Sequence, residues 1–120
     1  MYLVSVRRHF DAAHALRGYS GKCETIHGHR FQAVVRVARE ELDEIGMAYD
    51  FTTLKSALDS ILERLDHSNL NEIPPFDQMN PSSENLARFI YEELEEILAG
   101  VRPEAVEVWE SPDAWVTYRR

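Results

Sequence analysis

The hydrophobic pattern of this chain changes period twice, from two residues to about 3.6 and back to two, and that order restricts its fold to a small set. Residues 2–9, from Tyr2 to His9, alternate as a strand does. Residues 10–26 contain Gly18, Ser20 and Gly21 and read as a loop or bend. Residues 28–38 resume the two-residue period, with Phe31, Ala33, Val35 and Val37 on one face. A connection ending at Tyr49, Asp50 and Phe51 leads into helical spacing of Leu54, Leu58, Ile61, Leu62 and Leu65, behind Thr52 or Thr53 as the cap. That helix is expected to stop near residues 66–69, and Pro74, Pro75 and Pro81 mark residues 71–81 as a loop. Ser82 or Ser83 caps a second helix whose apolar side is Leu86, Phe89, Ile90, Leu94, Ile97 and Leu98. Its acidic run from Glu92 to Glu96 reads as a solvated face, and Gly100 and Pro103 end it. Residues 104–110 and 114–119 alternate again around a turn at 111–113, which is a hairpin pattern. The order ββααββ predicts an α+β fold: a single domain over residues 1–120, with an antiparallel sheet carrying both helices on one face.

A chain of 120 residues buries a modest core, so association of subunits is a natural way to cover more surface. The formal net charge of -8 argues against general binding to a nucleic-acid backbone, which needs a basic face. The lone cysteine, Cys23, has no internal disulfide partner, which fits a reducing compartment. The N-terminus begins directly in strand alternation without a leader pattern, and no apolar run approaches the roughly 20 residues that span a bilayer. These features lead to the expectation of a cytoplasmic protein without a membrane partner.

The chemistry concentrates in histidines. His27-Gly28-His29 has a spacing of two, so on an extended segment both imidazoles share a face, and Gly28 leaves the opposite face bare. His14, from the end of the first strand, would complete a facial set of three. Three protein ligands with one open position is the arrangement of catalytic zinc, whereas structural zinc has four. Cys23, four residues before His27, is either a fourth ligand, an acid/base thiol, or a small buried apolar side chain. The alternative for the histidines is ordinary core or surface hydrogen bonding. Asp66-His67 forms a second cluster, in which a carboxylate can fix an imidazole's tautomer; helix C-terminal capping is the plain alternative for His67. Glu110, at a strand end beside Trp109, is either an exposed carboxylate or an acceptor for a ring N–H and an amino group. His9 shows no clear partner and reads as structural.

These segments together resemble the family of 6-pyruvoyl-tetrahydropterin synthase and 6-carboxy-tetrahydropterin synthase. The matching pieces are Phe10 to His14, Cys23 to His29, Tyr49-Asp50-Phe51, Leu65 to Asn71, Pro81 to Asn85 and Val108 to Ser111, in family order along nearly the whole chain. The resemblance implies a tunnelling fold, in which ββααββ subunits join their sheets into an oligomeric barrel, typically a homo-hexamer made of two trimers. It implies zinc (Zn2+) on His14, His27 and His29, an acid/base thiol at Cys23, a relay at Asp66 and His67, and pterin anchoring by Glu110. The three residues between Cys23 and His27 match the branch that converts 7,8-dihydroneopterin triphosphate to 6-carboxytetrahydropterin for queuosine synthesis. Glu24, separated from His27 by two residues, matches the glutamate of the branch that cleaves dihydropterin side chains for folate synthesis, so either activity or both are implied. Ser83 stands where threonine is commoner in the family. A non-catalytic pterin- or metal-binding subunit is the remaining reading. Lys22, Arg7 and Arg8 are candidates for meeting the triphosphate.

Overall fold

The computed structural model describes residues 1–18, 21 and 24–120. Strands β1 (Tyr2–His14) and β2 (His27–Arg39) pair antiparallel along their full lengths, from Tyr2 opposite Arg39 to His14 opposite His27. Helix α1 (Phe51–Leu62) follows, then a two-residue strand β3 (Ser68–Asn69), helix α2 (Ser83–Ile97), and the hairpin of β4 (Ala105–Ser111) and β5 (Ala114–Tyr118). The sheet order is β3-β1-β2-β4-β5. Both helices cover one face, which confirms the α+β reading.

Three local expectations are corrected. β1 runs through His14 instead of stopping at residue 9, because Phe10, Ala12 and His14 continue the buried parity and β2 supplies a hydrogen-bonding partner for each step. The cap of α1 is Asp50 and not a threonine: its carboxylate accepts the Thr52 N–H at 2.8 Å. The sheet is not wholly antiparallel, since β3 pairs parallel with β1, Ala12 opposite Ser68. A two-residue strand leaves no periodicity to read. For α2, the Ser82 hydroxyl accepts the Asn85 N–H at 3.1 Å, and Gly100 takes the left-handed conformation (φ 90°) beyond the helix end.

The core follows from side-chain alternation. Val6, Phe10 and Ala12 of β1, Phe31, Ala33, Val35 and Val37 of β2, and Val106 and Val108 of β4 all face the helices. They meet Leu54, Leu58 and Ile61 of α1 and Leu86, Ile90 and Leu94 of α2, all buried. The opposite face is mixed, with Val34 and the stacked Trp109 and Trp115 among charged side chains. Arg7, His9, Arg30, Arg36, Glu107 and Trp109 line a hollow there, with Arg36 paired to Glu107. Arg8 points the other way and pairs with Asp59 of α1 at 3.0 Å.

A candidate metal centre at the end of the core face

The three strands that carry the core end in polar residues of the same parity. β1 ends in His14, β2 begins with His27 and His29, and β4 reaches Glu110 after Val106 and Val108. The helix-facing surface of the sheet therefore changes from hydrocarbon to imidazole and carboxylate at one edge. Phe31 is the boundary: fully buried, stacked on Phe10 at 4.9 Å, with its ring edge-on to His14 and His29 at 5.3 and 5.5 Å.

One ligand atom from each of His14, His27, His29 and Glu110 falls within 4.8 Å of all the others. Nε2 of His14 lies 2.9 Å from Glu110 Oε1, Nε2 of His29 lies 3.0 Å from it, and Nε2 of His27 lies 3.9 Å from it. In two of the rings the other nitrogen is occupied. His14 Nδ1 is 2.7 Å from the Pro81 carbonyl, and His27 Nδ1 is 2.7 Å from the Thr25 carbonyl. A carbonyl only accepts, so each Nδ1 carries the proton, and in the neutral ring each Nε2 offers a lone pair. Two lone pairs thus converge on a carboxylate. Nε2 of His29 is buried without a hydrogen-bond partner. Acceptors gathered in this way repel one another unless a cation stands among them or a ring takes a proton. Burial holds the His29 ring below its ordinary pKa, outweighing the pull of the Glu110 charge, and the neighbouring His14 and His27 push the same way. A neutral ring is the form that ligates. The four residues can hold a metal ion.

Backbone supports fix the set. Asn71 accepts the Ala15 N–H at 2.8 Å and donates to the Ala15 carbonyl at 2.9 Å; Asn80 does the same for Arg17, at 2.9 Å in both directions. The segment after His14 is therefore tied down by side chains where the sheet ends. These supports were not picked out from the sequence. The signal for them was slight: Asn71 ends the segment Leu65 to Asn71, and Asn80 falls in the loop 71–81.

The second cluster also assembles. Asp66 Oδ1 accepts the Asp11 N–H at 2.8 Å, and Oδ2 meets His67 Nδ1 at 3.0 Å. The Asp11 N–H is the main reason that the Asp66 carboxyl is held below the ordinary range, with His67 adding to it. His67 does not cap α1, which ends at Leu62. It sits in the left-handed region (φ 55°), an unusual place for a side chain with a Cβ, and its N–H donates to the Asp11 carbonyl at 2.6 Å. The ring is mostly exposed, at 79%. His29 and His67 border one shallow depression whose floor includes Gly28.

Glu24 is exposed, its N–H bonded to the Gly21 carbonyl, and it is not part of the histidine group. Cys23 and Lys22 lie outside the described residues. Arg7 and Arg8 face opposite sides of the sheet and neither joins the histidines. Glu110, expected as an exposed carboxylate or a pterin anchor, is brought among the imidazoles. No helix among the described residues is long and apolar enough to cross a membrane.

The class that fold and site define is a two-layer α+β domain with three histidines and a glutamate gathered at one end of its sheet, a group that could hold a metal ion. Residues 3–120 match the family model of 6-pyruvoyl tetrahydropterin synthase, and the chain belongs to that family. It is 40% identical over 106 residues to a 6-carboxy-5,6,7,8-tetrahydropterin synthase of Synechocystis, covering 84% of this chain and 79% of the relative. It is 38% identical over 108 residues to a dihydroneopterin monophosphate aldolase of Pyrococcus furiosus, covering 89% and 88%. The structure of the Caenorhabditis elegans 6-pyruvoyl tetrahydropterin synthase superimposes with a TM-score of 0.83 at 31% identity, covering 100% of this chain and 97% of that one.

Proposed function

We propose that this chain is a zinc-dependent 6-carboxy-5,6,7,8-tetrahydropterin synthase, converting 7,8-dihydroneopterin triphosphate and water to 6-carboxytetrahydropterin, acetaldehyde and triphosphate in queuosine synthesis. The observation that carries the reading is the convergence of three imidazoles with two Nδ1 positions already committed to carbonyls. Nitrogen donors of this kind suit zinc, and the similarity to the Synechocystis synthase supports the reaction.

His14, His27 and His29 hold the ion. When bound, zinc supplies Lewis acidity toward the vicinal hydroxyls of the substrate side chain and toward a carbonyl formed there. Cys23, as thiolate, takes a proton from a side-chain carbon, and positive charge nearby favours that form of the thiol. Asp66 keeps the proton of His67 on Nδ1, so Nε2 is the atom that exchanges protons with substrate. Glu110 accepts the paired N–H groups of the pterin ring. Positioning of this kind contributes on the order of several kcal/mol to lowering a barrier.

A second reading has its own support. Glu24 precedes His27 as in the folate-branch pattern, and the Pyrococcus relative is an aldolase. In that case Glu24 is the acid/base, and the product is 6-hydroxymethyl-dihydropterin. The test is to incubate the zinc-loaded protein with 7,8-dihydroneopterin triphosphate and identify the released aldehyde by mass. Acetaldehyde with free triphosphate supports the first reading, and a two-carbon aldehyde that still carries the triphosphate supports the second. No turnover alongside stoichiometric zinc would make the chain a binding subunit. We further propose a homo-hexamer of two trimers. Among the described residues, no strand lies beside the outer edge of β5 or the early half of β1, and Tyr2, Leu3, Phe51 and Trp115 are exposed. Light scattering would give the subunit number.

A further inference from the structure

We propose that Glu110 is itself a metal ligand: with the pterin pocket empty, its carboxylate fills the fourth coordination position, and it leaves that position to receive the pterin ring. This rests on the metal-site reading above and adds to it a ligand that the three-histidine set does not contain.

Three observations point to it. The first is distance. Zinc bonds of about 2.0–2.2 Å to nitrogen and oxygen place the corners of a tetrahedron roughly 3.4 Å apart. The separations of Glu110 Oε1 from the three Nε2 atoms, 2.9, 3.0 and 3.9 Å, straddle that value. The second is aim. Trp109 pairs with Trp115 but Ser111 pairs with Ala114, so β4 holds one residue more than β5 across this step, and that residue is Glu110. A bulge of this kind redirects a side chain out of the regular ladder. The alternation of Val106, Val108 and Glu110 sets this carboxylate on the face that carries the imidazoles, and the extra residue frees it from pairing with β5 at that point. The third is charge. The lone pairs on His14 Nε2 and His27 Nε2 face this carboxylate, and His29 Nε2 is buried without a hydrogen-bond partner. In their neutral forms the rings of His14 and His27 turn lone pairs toward the carboxylate, and these repel it. A cation shared by all four removes the repulsion. One carboxylate cannot accept two ring N–H donors and fill a coordination position with the same geometry, so arrival of the pterin frees the position that the substrate's oxygens need.

The experiment measures metal affinity without substrate, by competition with a chromophoric chelator, on the full chain and on Glu110→Gln and Glu110→Ala. Loss of an outer partner weakens metal binding about 10–100-fold. As a ligand, Glu110 should count for more, so both variants should raise the zinc Kd by about 100-fold or more. The visible bands of the cobalt(II)-loaded protein should shift in both. Circular dichroism of the metal-free proteins checks that the fold is kept. A smaller loss in both variants, or cobalt bands identical to those of the unaltered chain, overturns the proposal and leaves the three-histidine site standing. Failure of the unaltered chain to bind zinc or cobalt overturns both.

Discussion

The histidine group and the Asp66–His67 pair are built in opposite ways. His14, His27 and His29 stand on two long strands whose register is fixed over thirteen pairs, and two of the rings are further locked through Nδ1. His67 stands on a turn in a strained backbone conformation, mostly in solvent, held by one carboxylate. A ligand set must keep its spacing whether or not an ion is present, and a strand face provides this. A proton carrier needs its outer nitrogen free to reach substrate, and an exposed turn with one fixed nitrogen provides that instead. Strain at His67 is the cost of aiming the ring while its N–H stays bonded to Asp11.

The largest expected effect comes from breaking the rigid half. His27→Ala should remove zinc and lower turnover by more than about a thousandfold, on the scale of losing the group that stabilises developing charge. Metal analysis of the purified variant beside an aldehyde assay checks this. A zinc-free variant with full activity would reject the scheme. Next in size is Cys23→Ala, which should lower turnover by about 10²–10⁴-fold while zinc stays stoichiometric. Loss of zinc from that variant would make Cys23 a ligand.

Asp66→Asn tests the softer half and should lower turnover about tenfold to a hundredfold, because His67 loses the group that fixes its tautomer. It also has a pH signature. The folded carboxyl titrates below its ordinary value, so its contribution to stability is fully present above the unfolded pKa of about 3.9 and disappears as pH falls through the folded value. Denaturant melts should therefore show Asp66→Asn less stable than the unaltered chain at pH 6, with the gap closing only below about pH 3.9. The carboxylate is partly exposed, so the gap at pH 6 should be modest, about 1 kcal/mol or less. The smallest effect isolates the strain. His67→Gly and His67→Ala both lack the ring, but only glycine is at ease at positive φ. Glycine should melt higher than alanine by about 4 °C, for a difference of about 1 kcal/mol. Equal melting temperatures would mean that the turn relaxes when the ring is removed.

Periodicity alone was enough to place His27 and His29 on one face and to order the elements, because alternation is a property of neighbouring residues. It also identified the two helices and their apolar sides. It was not enough for the end of β1. Asp11-Ala12-Ala13 has low strand propensity, and only pairing with β2 shows that His14 is still in register. The choice of Asp50 over Thr52 or Thr53 as a cap had the same origin, since all three residue types can cap and backbone geometry decides.

What the residues determined by themselves was the kind of chemistry: three imidazoles at usable spacings, a carboxylate beside a fourth, and a lone thiol upstream. Tertiary structure decided which nitrogen of His14 and of His27 is available, through carbonyls at Pro81 and Thr25, and that Glu110 meets these rings, through the alignment of β1, β2 and β4. Both depend on groups brought together from distant segments or on strand register. Spacing along a chain carries no information about either, because they are fixed only when the backbone's hydrogen bonds are all satisfied at once.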